Sequence, residues 1–173
     1  MNTLSLTGVI LLYVGVVLFI NGLSLLNKID RKEIVFIDFF VGVLTFLIAC
    51  HLIFREAATS LTIRAGAFTL LFSCTYLWVA FNHYREASDE RGLGWYCLFV
   101  SLTAFLMTLF SFREAKSTWE FWLAICWGIW TVLWFLYFLN IIFSKGNPKN
   151  IGWFTLFAAV VSAWIPGALL LFE

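Results

Sequence analysis

The chain is short of charge and of the residues that interrupt apolar runs. Only 12% of its 173 residues are Asp, Glu, Lys or Arg, and two are proline. A soluble domain carries about twice that share of charge, so the polar surface of a soluble enzyme is missing. Eleven basic against ten acidic residues give a net charge of +1, which leaves no basic face for nucleic acid. No GxSxG, HExxH or P-loop pattern occurs, and no His–carboxylate cluster has ligand spacing. Neither a metal site, a cofactor nor a membrane enzyme is expected. The four cysteines, Cys50, Cys74, Cys97 and Cys126, fall singly in separate apolar runs. Without a CxxC pair they read as small packing residues rather than redox or zinc ligands.

What is present is apolar and aromatic. The sequence is 62% hydrophobic and 20% aromatic, with a mean hydropathy of +0.95, which describes an integral membrane protein. About 20 apolar residues cross a bilayer as a helix. By that measure six spans are expected, near 4–26, 34–54, 64–84, 92–112, 117–143 and 150–172. They use nearly the whole of 1–173, so the expectation is a single all-α membrane domain. Barrel strands would alternate apolar and polar residues, which these runs do not. The first run lacks a basic n-region and a small-residue cleavage site, so it reads as a retained helix rather than a signal peptide.

Orientation follows from the loops. Lys28, Arg31, Lys32, Arg85, Arg91, Lys145 and Lys149 lie in the first, third and fifth; Arg55, Arg64, Arg113 and Lys116 lie in the second and fourth. Seven basic residues against four place both termini outside. Ser117-Thr118-Trp119-Glu120 fits a helix capping box, which gives Glu120 a structural role.

A weak self-similarity appears near half the chain length. Gly42-Val43-Leu44-Thr45 answers Gly128-Ile129-Trp130-Thr131, and Tyr13 answers Tyr96. Three helices per half is odd, so a genuine repeat has inverted topology and places a pathway between the halves.

Ionisable groups inside spans are the default functional candidates, because a charge in hydrocarbon costs at least about 2.5 kcal/mol. Here these are Asp38 near the inner end of span two and His51 near its outer end. Each is a candidate polar or pH-responsive site. Snorkelling or pairing at an interface is the plainer reading of both, and a proton relay would need more such groups. Gly8, Gly15 and Gly22 recur every seven residues on one ridge of the first span. Small residues on a ridge mark a close helix contact in lipid.

The fifth span is the least ordinary. Trp127, Trp130, Trp134 and Tyr137 fall on one stripe through its middle, with Trp122 at its start. Tryptophan belts belong at headgroup level. Mid-membrane indoles either bury their N–H against a partner or face a polar passage. Phe72 and Tyr76 in the third span offer a second aromatic face. Bulky packing in a bundle core is the alternative. Two such faces suit a small, flat, neutral solute and reject ions, which require rings of carbonyls or carboxylates.

The stretches Leu11-Leu12-Tyr13-Val14-Gly15 with Asn21-Gly22, Phe39-Phe40-Val41-Gly42, Thr75-Tyr76-Leu77 with Asn82-His83, Trp95-Tyr96-x-Leu98-Phe99-Val100, the Trp127, Trp130, Trp134 stripe and Ala163-Trp164-Ile165-Pro166 resemble the urea channel and short-chain amide transporter family (UreI/AmiS). Matches run in order through all six spans. The resemblance implies six helices as two inverted three-helix repeats, with both termini outside a bacterial inner membrane. It also implies a homo-hexamer with a pore in each protomer. It places Phe72, Tyr76, Trp127, Trp130 and Trp134 at an aromatic constriction, with Val14 and Leu18 as apolar pore lining. Passive passage of urea to a cytoplasmic urease is the implied function. An acetamide-like amide permease serving an amidase, a non-transporting scaffold and an ion-coupled transporter are the rivals.

Two departures from the family pattern matter. The loop after span two is short and histidines are scarce, so acid gating is not expected. The family's intramembrane glutamate on helix six aligns with Ala158, which leaves the choice between urea and amide open.

Overall fold

Backbone N–H and C=O groups find no water in a bilayer core, so each apolar run must close its hydrogen bonds within itself as a helix. The computed structural model describes residues 3–172; residues 1, 2 and 173, the ends of the expected domain, lie outside the described residues. The helices are α1 (Thr3–Leu25), α2 (Ile34–Phe54), α3 (Ser60–Tyr84), α4 (Arg91–Glu114) and α5 (Thr118–Phe143). The sixth span is composite: α6 (Pro148–Ala158), a π-helical stretch (Ala159–Trp164) and α7 (Ile165–Phe172). All six spans are long and apolar enough to cross a membrane.

The starts of the helices follow local chemistry. Ser117 Oγ accepts from the Glu120 backbone N–H while Glu120 accepts from that of Ser117, the expected capping box. The third helix begins at Ser60, four residues before the expected start. Thr59 and Thr62 cap each other there, and Arg64 is carried inside the helix with its guanidinium 5.2 Å from the Phe110 ring. In the sixth span, Pro166 has no N–H to offer the carbonyl of Ser162 one turn earlier, and the π-helical stretch ends just before it.

Packing is pairwise: α2 lies along α3, α4 along α5, and α1 along the whole sixth span. The glycine ridge explains the last pair. A methyl group on Gly15 would lie 2.9 Å from the Trp164 backbone nitrogen, and Gly8 and Gly22 face Leu171 and Leu156 equally closely. Only hydrogen fits there, so the backbones approach and gain dispersion that lipid does not provide. Buried hydroxyls tie the other pairs, Ser73 Oγ donating to the Gly42 carbonyl at 2.8 Å and Ser101 Oγ to that of Thr131 at 2.9 Å.

The backbones of α3 and α5 do not pack closely on one another. The three pairs surround a centre that is filled by side chains. Outward, Phe36, Phe39, Leu47, Phe99 and Leu106 form part of an exposed apolar coat suited to lipid.

Candidate functional site

Successive turns of α3 present Phe68, Phe72 and Tyr76 to the centre, with His83 two turns further on, and α5 answers with Trp127, Trp130, Trp134 and Tyr137. Phe72 is the hub. Its ring stacks on Trp134 (centroids 5.0 Å apart, 17° between planes), meets Trp130 edge-on at 5.1 Å and lies 6.0 Å from Trp127. Trp127 also meets Trp130 edge-on at 5.0 Å and Phe68 at 5.4 Å. Phe72, Tyr76, Trp130 and Trp134 are all buried, and Trp127 is half-buried. The rings expected at the constriction are therefore brought together, in mutual contact and with no gap between Phe72 and Trp134.

Hollow space flanks this cluster at both ends. One cavity, of about 120 Å³, runs from the end that carries the first, third and fifth loops up to Tyr76 and Trp134. It has several times the room one water needs. Leu18, Asn21, Thr75, His83, Leu133 and Tyr137 are among its lining residues. A second hollow, of about 360 Å³, lies toward the opposite end and reaches Phe68 and Trp127, with Arg64, Glu114 and Glu120 at its rim. Phe72 and Trp130 stand between the two.

The remaining expected residues divide. Leu18 of α1 lines the first cavity, whereas Val14 on the same helix is buried in the core and is not among its lining residues. His51 is exposed on α2 and touches neither hollow; the histidine in the cavity wall is His83. Asp38 does not snorkel. It is fully buried, and Asn21 Nδ2 of α1 donates to its Oδ1 at 3.0 Å. Ala158 is fully buried beside the π-helical stretch.

The indoles answer the question of where their N–H groups go. Trp130 Nε1 donates to Ser162 Oγ at 2.9 Å, and Ser162 donates onward to the Ala158 carbonyl. Trp122 Nε1 donates to the Val161 carbonyl at 3.2 Å. The π-helical stretch is thus the polar partner of α5. Thr155 Oγ1 donates to the Ile151 carbonyl and also contacts Tyr137 Oη at 3.3 Å, so Tyr137 is the donor of that pair.

At the mouth of the first cavity, ion pairs join the first and third loops. Lys32 lies 2.6 Å from Glu86, and Arg31 3.6 Å from Glu90. The hydrogen bond and charge of Glu86 push the Lys32 ammonium above its usual range, and Lys32 pulls Glu86 below the usual carboxylate range. Side-chain and backbone donation from Arg91 brings Asp89 down to about 2. Tyr137 was marked by the α5 stripe, whereas Asn21, His83 and the Arg31–Glu90 pair carry no signature in sequence spacing as cavity residues. Only the meeting of α1, α3 and α5 brings them together.

A six-span bundle whose central aromatic cluster separates two hollows defines a multi-pass membrane transport protein. The model of the family described as AmiS/UreI family transporter matches residues 6–173. The chain belongs to this family, whose named relatives are channels and transporters rather than enzymes. It is 35% identical over 167 residues to a putative amidate substrates transporter protein of Mycolicibacterium smegmatis, covering 94% of this chain and 75% of that one. It is 32% identical over 193 residues to the acid-activated urea channel of Helicobacter pylori, covering 96% and 97%. In three dimensions it matches the closed-state cryoEM structure of the Helicobacter pylori urea channel with a TM-score of 0.86 at 32% identity, over 95% of this chain and 97% of that one. The crystal structure of that channel matches with a TM-score of 0.83 at 34% identity, over 95% and 96%.

Proposed function

We propose that the protein is a passive channel for urea, a small neutral amide, with one pathway through each six-helix protomer. The observation that carries this reading is the aromatic plug between two hollows: Phe72, Trp127, Trp130 and Trp134 close a route whose inner half ends on Tyr76 and Trp134. Flat apolar walls with few hydrogen-bonding edges admit a planar amide at low desolvation cost and offer an ion nothing in place of its hydration shell. Relatives named as a urea channel and as an amidate transporter support the same substrate class.

On this reading Val14 and Leu18 of α1 form the apolar wall opposite the rings. The two halves are inverted three-helix repeats, and the protomers assemble as a homo-hexamer in the lipid of a bacterial inner membrane. Both termini face outside, so the cavity bounded by Arg31, His83 and Glu90 opens to the cytoplasm and delivers solute to a urease. The channel is not acid-gated, because the loop after α2 is short and the one histidine toward the outer side, exposed His51, stands apart from both hollows, His83 lying at the other end. The second reading, an acetamide-like permease serving an amidase, is favoured by the Mycolicibacterium relative. Stopped-flow uptake of urea and of acetamide into vesicles holding the purified protein decides between them by which permeability rises further above empty vesicles. Equal permeability with and without protein refutes both and leaves a scaffold.

A further inference from the structure

Three buried side-chain atoms near the inner face of the aromatic plug have no hydrogen-bond partner: Asn21 Oδ1, Asp38 Oδ2 and Tyr76 Oη. Asp38 is fully buried and Tyr76 is 2% exposed. They are not scattered. Asn21 and Tyr76 both line the inner cavity. Asp38 is joined to Asn21 by the 3.0 Å hydrogen bond, and it is an electrostatic neighbour of Tyr76 and Tyr137. The chemistry of that bond orients the amide of Asn21, since its NH2 must face the carboxyl and its carbonyl is left over. Helices α1, α2 and α3 thus bring together two acceptors without donors and one hydroxyl. Leaving such groups buried and unpaired is costly, so each calls for a partner.

Resting on the channel reading above, we propose that Asn21, Asp38 and Tyr76 form an amide-recognition site just inside the plug. A primary amide carries two N–H donors and one carbonyl on one planar group, the complement of two acceptors and a hydroxyl. Asp38 Oδ2 and Asn21 Oδ1 accept the N–H groups, and the Tyr76 hydroxyl donates to the carbonyl. The aromatic plug selects for shape; this site selects for N–H. A neutral solute of similar size without N–H passes the rings and then leaves Asp38 unanswered. The Asp38 carboxyl thereby acts as a specificity determinant on α2, a helix that contributes no ring to the plug.

The test is the ratio of urea to ethylene glycol permeability in vesicles holding wild type, Asp38→Asn or Tyr76→Phe, with thermal stability in detergent measured on the same preparations. Asp38→Asn retains the contact with Asn21 but turns an NH2 toward the solute, and the ratio is expected to fall about tenfold, as for loss of one hydrogen bond with a donor left facing a donor. Tyr76→Phe deletes a hydroxyl that bonds to nothing in the protein, so the fold stays as stable or becomes more so, while the ratio falls at least threefold. A ratio unchanged in Tyr76→Phe overturns the site, whatever the folding of Asp38→Asn. Wild-type vesicles no more permeable to urea than empty ones overturn the channel reading itself, a separate outcome.

Discussion

Truncating Phe72 to alanine removes the hub of the plug and exposes what its rings are for. The side chain makes three ring contacts, with Trp127, Trp130 and Trp134 at 6.0, 5.1 and 5.0 Å. Aromatic pairs contribute about 0.5–1.5 kcal/mol each beyond burial, so these account for about 1.5–4.5 kcal/mol. That is consistent with the 3–5 kcal/mol typical of a buried Phe→Ala change, which corresponds to a melting shift of roughly 6–20 °C in a chain of this size. The functional consequence is separate. Of the two rings between the cavity at Trp134 and the hollow at Trp127, the phenyl is then gone and Trp130 remains. Vesicle uptake should show urea still passing, with the discrimination against a bulkier neutral solute such as glycerol falling by about tenfold or more. A melting temperature lowered as expected with discrimination intact would mean that the rings pack and do not sieve. That result refutes the plug as a selectivity element.

Other outcomes follow from single contacts. Ser162→Ala leaves the buried Trp130 N–H unpaired and should cost about 1–3 kcal/mol, whereas adding Trp130→Phe removes the orphan; thermal denaturation of the double variant should reveal a coupling above about 0.5 kcal/mol. Gly15→Ala drives a methyl to 2.9 Å from the Trp164 nitrogen and should lose about 1–3 kcal/mol or misfold by gel filtration. Gly128→Ala, with nothing nearer than Thr108 Cγ2 at 3.6 Å, should be neutral or gain up to about 1 kcal/mol. For pH, Lys32 is raised while Glu86 and Asp89 are lowered, so all stay charged from pH 7 to 5. A depressed carboxylate stabilises above its ordinary value and loses that effect only as pH falls toward its folded value, for Asp89 from about 4 to about 2. With these mouth charges unchanged and His51 apart from both hollows, urea flux should change less than twofold between pH 7 and 5; a steep acid activation in a stopped-flow series would contradict this and point to His83 in the cavity wall.

Hydropathy marks the six spans to within a few residues, because a bilayer demands length and little else. It misplaced the start of α3, where Arg64 looks like a border; a guanidinium resting on Phe110 is visible only once α4 is beside α3. The tryptophan stripe and the α1 glycines were legible because helical periodicity alone puts them on one face. Asp38 stood out as a carboxyl inside a span, but its partner did not, since Asn21 lies seventeen residues earlier on another helix. His83 was overlooked for the same reason: its sequence neighbourhood is a helix end, and only the third dimension gives it a cavity wall. The π-helical stretch has one local clue, Pro166, and its role as acceptor for two indoles comes wholly from tertiary packing.

The most direct measurement pairs solute uptake with electrical recording on one reconstituted preparation. The account predicts urea permeability many times that of protein-free vesicles, unaffected by an imposed membrane potential, alongside no ion or proton current. Uptake that follows the potential, or a measurable ion current, would contradict passage of a neutral solute through an aromatic slot.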